Sequence, residues 1–308
     1  MRFRTLLTVS TLTTLFFAKA ASAAQTNNLS VSVFFAQEAN VNAFVFSDST
    51  GTLIVDTTRN SKEARDLAKL ARSKGSDPGI ILVTHGHPDH FLGLGALKKE
   101  FPKARILVAT KEIKNDIIGF TQYMESVHGF DGEPSMKPKS PAHPGGFDYE
   151  NEIGVLEGNE IKMPGGSLLE VNAQFPVTEA PGETVLYSKD LNAVFASDLV
   201  YNQVHLWMGV GVDEVAIKNW QAQLDNLKAK YGPMKATVYP GHGPGPITDI
   251  KVFDVDKRYM NDLLEVVRAA KSQEEAKAKM VDKYSTWLNA DFLLVQSIKF
   301  QTEQLQKK

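Results

Sequence analysis

Four residues whose side chains can bind a metal ion lie within a six-residue stretch of the chain. The segment Thr84–His90 reads Thr-His-Gly-His-Pro-Asp-His and supplies His85, His87, Asp89 and His90. A single histidine is most often a solvated polar residue. Three histidines and an aspartate this close together favour a metal site, because imidazole and carboxylate groups are the ligands that zinc and related ions prefer in proteins.

The spacing of these residues indicates a turn at the end of a strand. His85 and His87 are two positions apart, so both reach one ion only where the backbone turns rather than continuing as a helix. The preceding segment 79–83, Gly-Ile-Ile-Leu-Val, is apolar and predicts a buried strand. Open α/β sheets carry their chemistry beyond the carboxyl ends of strands. Asp89 and His90 can then face a second ion beside the first.

Three further candidate ligands lie at predicted strand-to-loop exits later in the chain. Asp198 directly follows the apolar segment 193–196, and His242 follows 236–239 within the turn Pro-Gly-His-Gly. Glu179 precedes a Pro-Gly turn that leads into another predicted strand. The sequence therefore contains enough candidates for two metal ions.

The order of these motifs resembles that of the metallo-β-lactamase superfamily. His-x-His-x-Asp-His after an apolar strand, a Pro-Gly turn, an aspartate after the next strand and a Pro-Gly-His-Gly turn occur in the family's order over roughly residues 30–250. The resemblance implies the following ligand sets: His85, His87 and Glu179 for one metal, Asp89, His90 and His242 for the other, and Asp198 bridging both.

The second turn departs from the family pattern. The family usually has histidine where this chain has Glu179, and Glu183, at the start of the next strand, is the alternative ligand. Secreted alkyl sulfatases of the same superfamily resemble this variation, since they also use carboxylates here. Three ligand carboxylates, two divalent ions and one hydroxide sum to zero charge. The resemblance implies two divalent ions, zinc in the first place. Because the ligand set is rich in carboxylates, we expect manganese or iron to be tolerated better than at an all-imidazole site.

The resemblance implies a binuclear hydrolase in which a metal-bridging hydroxide attacks a small-molecule ester, lactone, amide (β-lactams included) or sulfate ester. Asp89 and His205 are the candidate catalytic residues. His205 follows Asp198 in a loop expected to overhang the metals, although a surface histidine is an equal alternative. Asp56, at a strand end, is a candidate acceptor that orients a ligand histidine. A non-haem iron oxidoreductase and a non-catalytic binding protein are the alternative functions.

Strands alternate with helices along the chain, which predicts helices packed on sheets. Together with the resemblance, this pattern predicts the α/β class and a four-layer αββα sandwich of the metallo-β-lactamase type, with the metals at one edge. Residues 129–150 predict a surface loop. The expected organisation is a signal peptide over 1–23, a metallo-β-lactamase-like domain over 24–250, and a helical C-terminal extension over 251–308 that packs on the same domain.

Composition limits the location and the partners. Residues 1–23 combine a basic start, a short apolar run and an alanine-rich end, which is typical of a secretory signal peptide and too short to span a bilayer. We expect an exported protein, periplasmic or secreted, that leaves the membrane after cleavage. Without Arg2, Arg4 and Lys19 the chain has 31 basic and 36 acidic residues, so nothing favours nucleic acid. Since cysteine is absent, metal ligands must be histidine or carboxylate. The sequence does not indicate an oligomeric state.

Overall fold

The computed structural model describes residues 29–127, 129–130 and 133–307, so the predicted signal peptide over 1–23 lies outside the described residues. Within them the strands are β1 Ser30–Ala36, β2 Val41–Ser47, β3 Thr52–Val55, β4 Pro78–Val83, β5 Arg105–Val108, β6 Ile153–Val155, β7 Glu160–Lys162, β8 Leu168–Asn172, β9 Val185–Ser188, β10 Ala193–Phe195 and β11 Thr237–Tyr239. The α-helices are α1 Ser61–Arg72, α2 Pro88–Phe91, α3 Leu94–Glu100, α4 Lys111–Ser126, α5 Tyr149–Glu152, α6 Glu214–Tyr231, α7 Val252–Ala269, α8 Gln273–Lys283 and α9 Val295–Gln306. Short 3-10 turns cover Pro134–Met136 and Ser197–Leu199, and a π-helical turn covers Ala290–Leu294.

The strands form two mixed sheets. The first has the order β1-β2-β3-β4-β5-β6, antiparallel as far as β3 and parallel from β3 to β6. The second has the order β11-β10-β9-β8-β7, in which only β10 and β11 run parallel. Every residue of β2 and β3 is buried, as expected for strands covered on both faces.

The two sheets pack against each other through alternate residues of their strands. Phe44 and Phe46 of β2 contact Phe195 of β10, with ring centroids 5.2 Å and 4.6 Å apart. Val45, which lies between the two phenylalanines, points to the opposite face and packs with the helices α1 and α3. Val194 of β10 likewise points to the outer face of the second sheet and packs with α6. This alternation produces helix, sheet, sheet and helix layers, so the predicted αββα sandwich is confirmed.

The C-terminal helices extend the outer layer of the second sheet. Leu263 of α7, Met280 of α8 and Leu294 beside α9 belong to the same buried cluster as Trp220 of α6. Helix α7 contacts α6, α8 and α9. The domain boundary at residue 250 stays a prediction. In the described part of the chain, no helix has the length and apolar character needed to cross a bilayer.

The region 129–150 differs from the expected surface loop. Phe130, Met136, Phe147 and Tyr149 are buried in the cluster that covers the outer face of the first sheet. The Tyr149 hydroxyl also donates a hydrogen bond to the Met136 carbonyl at 2.7 Å. These irregularly spaced apolar anchors hold the described part of the segment in the outer layer.

Candidate metal centre

The carboxyl ends of β4, β10 and β11, with the loop before β9, bring the predicted ligands to one edge of the sandwich. Potential ligand atoms lie within 4.8 Å of one another in each of two groups, which are His85, His87, Glu179 and Asp198, and Asp89, His90 and His242. All seven predicted ligands are therefore in one of the two groups. Their binding of metal stays a prediction.

The loop after β4 fixes His85 from one side of its ring. Its Nδ1 lies 3.1 Å from Thr84 Oγ1 and 3.2 Å from Ser197 Oγ. Its Nε2 faces Glu179 Oε2 at 3.8 Å and Asp198 Oδ2 at 3.7 Å. The loop continues into α2, whose first residue is Pro88. His85 thus presents Nε2 to the cluster while Nδ1 is held by neighbouring hydroxyl groups.

Asp198 lies between the two groups. Its Oδ1 is 3.3 Å from His90 Nε2, and its Oδ2 is 3.0 Å from His242 Nε2. A Cβ atom on Gly241 would collide with Asp198 Oδ1, so the Pro-Gly-His-Gly turn passes directly against this carboxylate. The Tyr201 hydroxyl donates to Asp198 Oδ2 at 2.9 Å. This position fits the bridging role that the resemblance implied.

A buried aspartate orients His90 from the first sheet. Asp56 Oδ2 lies 2.9 Å from His90 Nδ1, and Asp56 Oδ1 accepts the Thr84 amide at 2.8 Å. The expected contact between Asp56 and a ligand histidine is confirmed. Burial lowers the pKa of His90, but the carboxylates of Asp198 and Asp56 outweigh it and raise that pKa well above its usual value.

A backbone carbonyl and an aromatic ring orient His242 from the opposite side. Its Nδ1 lies 3.2 Å from the carbonyl oxygen of Ala39, which also accepts a hydrogen bond from Asn289 Nδ2 at 3.2 Å. The Tyr201 ring stacks on the His242 ring, with centroids 4.7 Å apart and planes 3° apart. The C-terminal region thus shares an acceptor with a candidate ligand.

The geometry distinguishes the two glutamates near the second turn. Glu179 Oε1 lies 2.9 Å from His87 Nδ1, inside the first ligand group. Glu183 is also buried, but it faces Nδ1 of His85 at 3.7 Å, on the side away from the cluster. Glu179 therefore lies among the candidate ligands, and Glu183 lies behind His85; which of them binds metal stays a prediction.

The buried polar atoms of the cluster fit divalent cations. Four of them have no hydrogen-bond partner within the described residues: Nε2 of His85 and of His90, Oε2 of Glu179 and Oδ1 of Asp198. Unpartnered buried polar groups are costly, and convergent imidazole and carboxylate atoms are a metal-binding donor set. Burial and the Asp198 charge raise the pKa of Glu179, and burial with the Glu179 charge raises the pKa of Glu183. A bound cation would balance this excess of carboxylates.

The two candidate catalytic residues have different surroundings. Asp89 is partly accessible, and its Oδ2 lies 3.4 Å from His242 Nε2. His205 is buried, with Nδ1 2.8 Å from the Tyr259 hydroxyl and its ring beside Trp287. Burial lowers the pKa of His205 to about 4. The alternative of a surface histidine is therefore wrong, because His205 packs against the C-terminal region; both catalytic roles stay predictions.

Sequence reasoning missed several residues that position the site. Asn42 Nδ2 donates to the carbonyls of Pro240 at 3.0 Å and Gly243 at 2.7 Å, which holds the turn on either side of His242. Asp256 Oδ2 accepts the backbone amide of Tyr201 at 3.0 Å. Neither residue adjoins a ligand motif, so no local pattern could have identified it.

Solved structures with the same fold include enzymes and proteins named only by family. A metallo-β-lactamase family protein from Thermus thermophilus matches with a TM-score of 0.61 and 19% identity, over 91% of this chain and 93% of that one. The sec-alkylsulfatase Pisa1 from Pseudomonas sp. matches with a TM-score of 0.55 and 15% identity, over 86% of this chain and 47% of its own. The DIM-1 metallo-β-lactamase matches with a TM-score of 0.50 and 19% identity, over 76% and 91%. At these identities the likeness shows the fold alone. No curated protein matches the chain significantly.

A family model gives the corresponding result from sequence. The model described as the metallo-beta-lactamase superfamily matches residues 36–242, which contain all seven candidate ligands. At the level of the superfamily, this match supports a metal-dependent hydrolase. The chain belongs to the metallo-β-lactamase superfamily.

Proposed function

We propose that the protein is an exported, binuclear, metal-dependent hydrolase of small-molecule esters, lactones, amides or sulfate esters. The observation that carries this proposal is the convergence of seven buried or half-buried candidate ligands, with Asp198 between the two groups, at one edge of the sandwich. Their unpartnered atoms point to cations rather than to a network of protein hydrogen bonds. Export follows from the composition of residues 1–23.

The ligand residues divide between two ions. His85, His87 and Glu179 would hold one, Asp89, His90 and His242 would hold the other, and Asp198 would contact both. Bound divalent cations supply a Lewis acid for the scissile group and lower the pKa of water toward neutrality. Zinc is the first expectation.

Neighbouring residues hold the ligands in their reactive orientation. Asp56 accepts the Nδ1 proton of His90 and so keeps Nε2 free for the cluster. Tyr201 places its hydroxyl 2.9 Å from Asp198 Oδ2 and 3.3 Å from Glu179 Oε1, with the proton toward Asp198. Tyr201 therefore holds Asp198 in place and lies beside Glu179.

The carboxylate content of the ligand set supports a second candidate, an iron-dependent oxidoreductase of the same fold. Asp89, Glu179 and Asp198 supply hard oxygen donors, which suit iron and manganese better than an all-imidazole set does. The identity of the bound metal separates this candidate from the hydrolase.

The test is elemental analysis of the purified mature protein without added metal. About two zinc ions per chain, with turnover of at least one of a panel of esters, lactones, sulfate esters and β-lactams in the absence of oxygen, would support the hydrolase. Iron together with oxygen uptake would overturn it in favour of the oxidoreductase. A protein that binds no zinc, manganese or iron even after reconstitution would contradict both.

A further inference from the structure

Five aromatic rings form a continuous row through the candidate metal centre. Starting from helix α4, the row consists of Tyr123, Phe120, His87, Trp207 and Phe292, and we name it the aromatic row. The successive centroid distances are 5.8, 6.0, 6.1 and 6.2 Å. A candidate ligand, His87, is the central ring, so any substrate that reaches this ligand also meets the row.

The two ends of the row are open to solvent. Tyr123 is 59% exposed and meets Phe120 edge to face, and Phe292 is 51% exposed and stacks on Trp207. Single exposed apolar residues are common on protein surfaces and need no explanation. Exposed aromatic rings that continue directly into a candidate active site are different, because contiguous apolar surface at such a site marks ligand binding.

The backbone holds Phe292 in a fixed relation to the metal ligands. Phe292 lies in the π-helical turn Ala290–Leu294, and such turns are frequently found at functional sites. Asn289 begins the turn in the left-handed conformation, with φ of 64°. Its side chain donates to the Ala39 carbonyl, which His242 Nδ1 also contacts. The Ala39 carbonyl oxygen therefore contacts both the candidate ligand His242 and Asn289, which begins the turn that carries Phe292.

We propose that the aromatic row binds an apolar chain of the substrate, and that esters with an extended acyl chain are preferred to those with a short one. This inference rests on the proposed function, because it assigns a substrate class to the same site. The half of the row from His87 through Trp207 to Phe292 begins at a candidate ligand and ends at an exposed ring, so an apolar chain on a group bound at that ligand can extend along it. Each methylene buried there strengthens binding through the hydrophobic effect, a gain that short acyl groups cannot make.

The experiment compares p-nitrophenyl acetate, butyrate and octanoate, which differ only in the acyl chain. We expect kcat/KM for octanoate to exceed that for acetate in the wild type. Phe292→Ala should reduce this ratio about tenfold, while Phe292→Tyr should retain it. Because Phe292 is half exposed, its replacement leaves the core intact.

The matched control is Met234→Ala. Met234 is 41% exposed, and its carbonyl accepts a hydrogen bond from Asn192. Asn192 precedes β10, whereas Asp198 follows β10, so Met234 lies at the end of the strand away from the candidate metal centre. This variant should keep the wild-type ratio. An octanoate-to-acetate ratio that is unchanged in Phe292→Ala, or equally reduced in Met234→Ala, would overturn the aromatic row as a substrate wall.

A binding measurement keeps the inference testable if no ester is hydrolysed. Calorimetric titration with octanoate and butyrate should show tighter octanoate binding to the wild type and a loss of that difference in Phe292→Ala. Equal binding of the two acids would overturn the inference, whatever the enzyme's activity. If Phe292→Ala instead changes the oligomeric state on size exclusion with light scattering, the row is a protein interface and the inference is wrong. Absence of turnover with the binding difference intact would count against the hydrolase alone.

Discussion

The two sheets build their halves of the candidate centre in different ways. The first sheet supplies His85, His87, Asp89 and His90 from one loop after β4, and it supports them with Asp56 and Thr84 from the adjacent strand ends. The second sheet supplies one ligand from each of three separate segments, namely Glu179, Asp198 and His242.

The supports of the second half come from distant segments both before and after it in the chain, since Asn42 of β2 holds the turn around His242. The amide of Tyr201 is held by Asp256 of α7, and the Ala39 carbonyl behind His242 is shared with Asn289. The first half is therefore a local motif, while the second half depends on contacts from the first sheet and from the C-terminal region. This difference can be tested by comparing substitutions of candidate ligands with substitutions of the residues that support them. The same comparison can be made between the first half and the second.

The largest effect is expected from Asp198→Ala, because this carboxylate contacts histidines of both ligand groups. The variant should lose both ions, and kcat/KM should fall by more than the 10- to 100-fold that is typical of residues behind the ligands. Elemental analysis and steady-state kinetics measure the two losses. Asp190→Ala, in an exposed turn, should keep both properties. Two retained ions in Asp198→Ala would show that Asp198 does not bridge.

The next effect separates Glu179 from Glu183. Glu179→Gln should lose the ion of the first group and most activity, because Glu179 lies 2.9 Å from His87 on the side of the cluster. Glu183→Gln should retain both ions, since Glu183 faces the far side of His85. Metal content of the two variants decides the matter, and the reverse pattern would exchange their roles.

Asp56→Asn tests the support of the first half. Loss of the carboxylate behind His90 should weaken metal affinity about 10- to 100-fold without removing a ligand. A competition titration with a chromophoric chelator measures the change. Asp48→Asn is the control, because Asp48 also accepts backbone amides but lies in a turn between β2 and β3. Equal affinity in wild type and Asp56→Asn would contradict the positioning role.

Asn289→Gly tests the corresponding support of the second half. Glycine tolerates the left-handed backbone, so the substitution removes the donor to Ala39 without adding strain. Because the carbonyl still contacts His242, we expect only a few-fold loss of metal affinity, smaller than for Asp56→Asn. Asn192→Gly removes a comparable donor, also at positive φ, far from the centre and should change nothing. A loss as large as that of Asp56→Asn would mean that the halves depend equally on their supports.

The smallest effect concerns stability rather than activity. Burial raises the pKa of Asp256 well above its usual value. A raised folded-state pKa contributes stability at low pH that is lost as pH rises from the unfolded value, about 4, through the folded one. Asp256→Asn removes that loss while an amide oxygen can still accept from Tyr201. Its free energy of unfolding should exceed the wild type's at pH 8, and not at pH 4. A pH-independent difference in denaturant titrations would exclude this explanation.

The same contrast explains which parts of the site could be predicted from sequence. The four ligands of the first loop are adjacent, and Asp198 and His242 directly follow apolar strands, so local patterns identify them. Asn42 contacts a carbonyl 198 residues away and Asn289 one 250 residues away, and such pairs have no local signal. The packing of helices on sheets was predictable from the alternation of strands and helices, whereas the four-layer sandwich was implied by the family resemblance. The segment 129–150 was not, since its buried anchors follow neither a strand period nor a helix period.

The chain contains no cysteine, so no disulfide can connect its distant segments. Metal ions bound by His90, Asp198 and His242 could take the place of a disulfide. They would crosslink residues about 150 positions apart, since His90 and His242 both lie against Asp198. Crosslinks that close loops of this size remove roughly 4–5 kcal/mol of unfolded-state entropy in the chain-entropy model. The strength of this crosslink would follow the concentration of free metal ions rather than the redox potential. Metal supply would then set the lifetime of the folded protein as well as its activity.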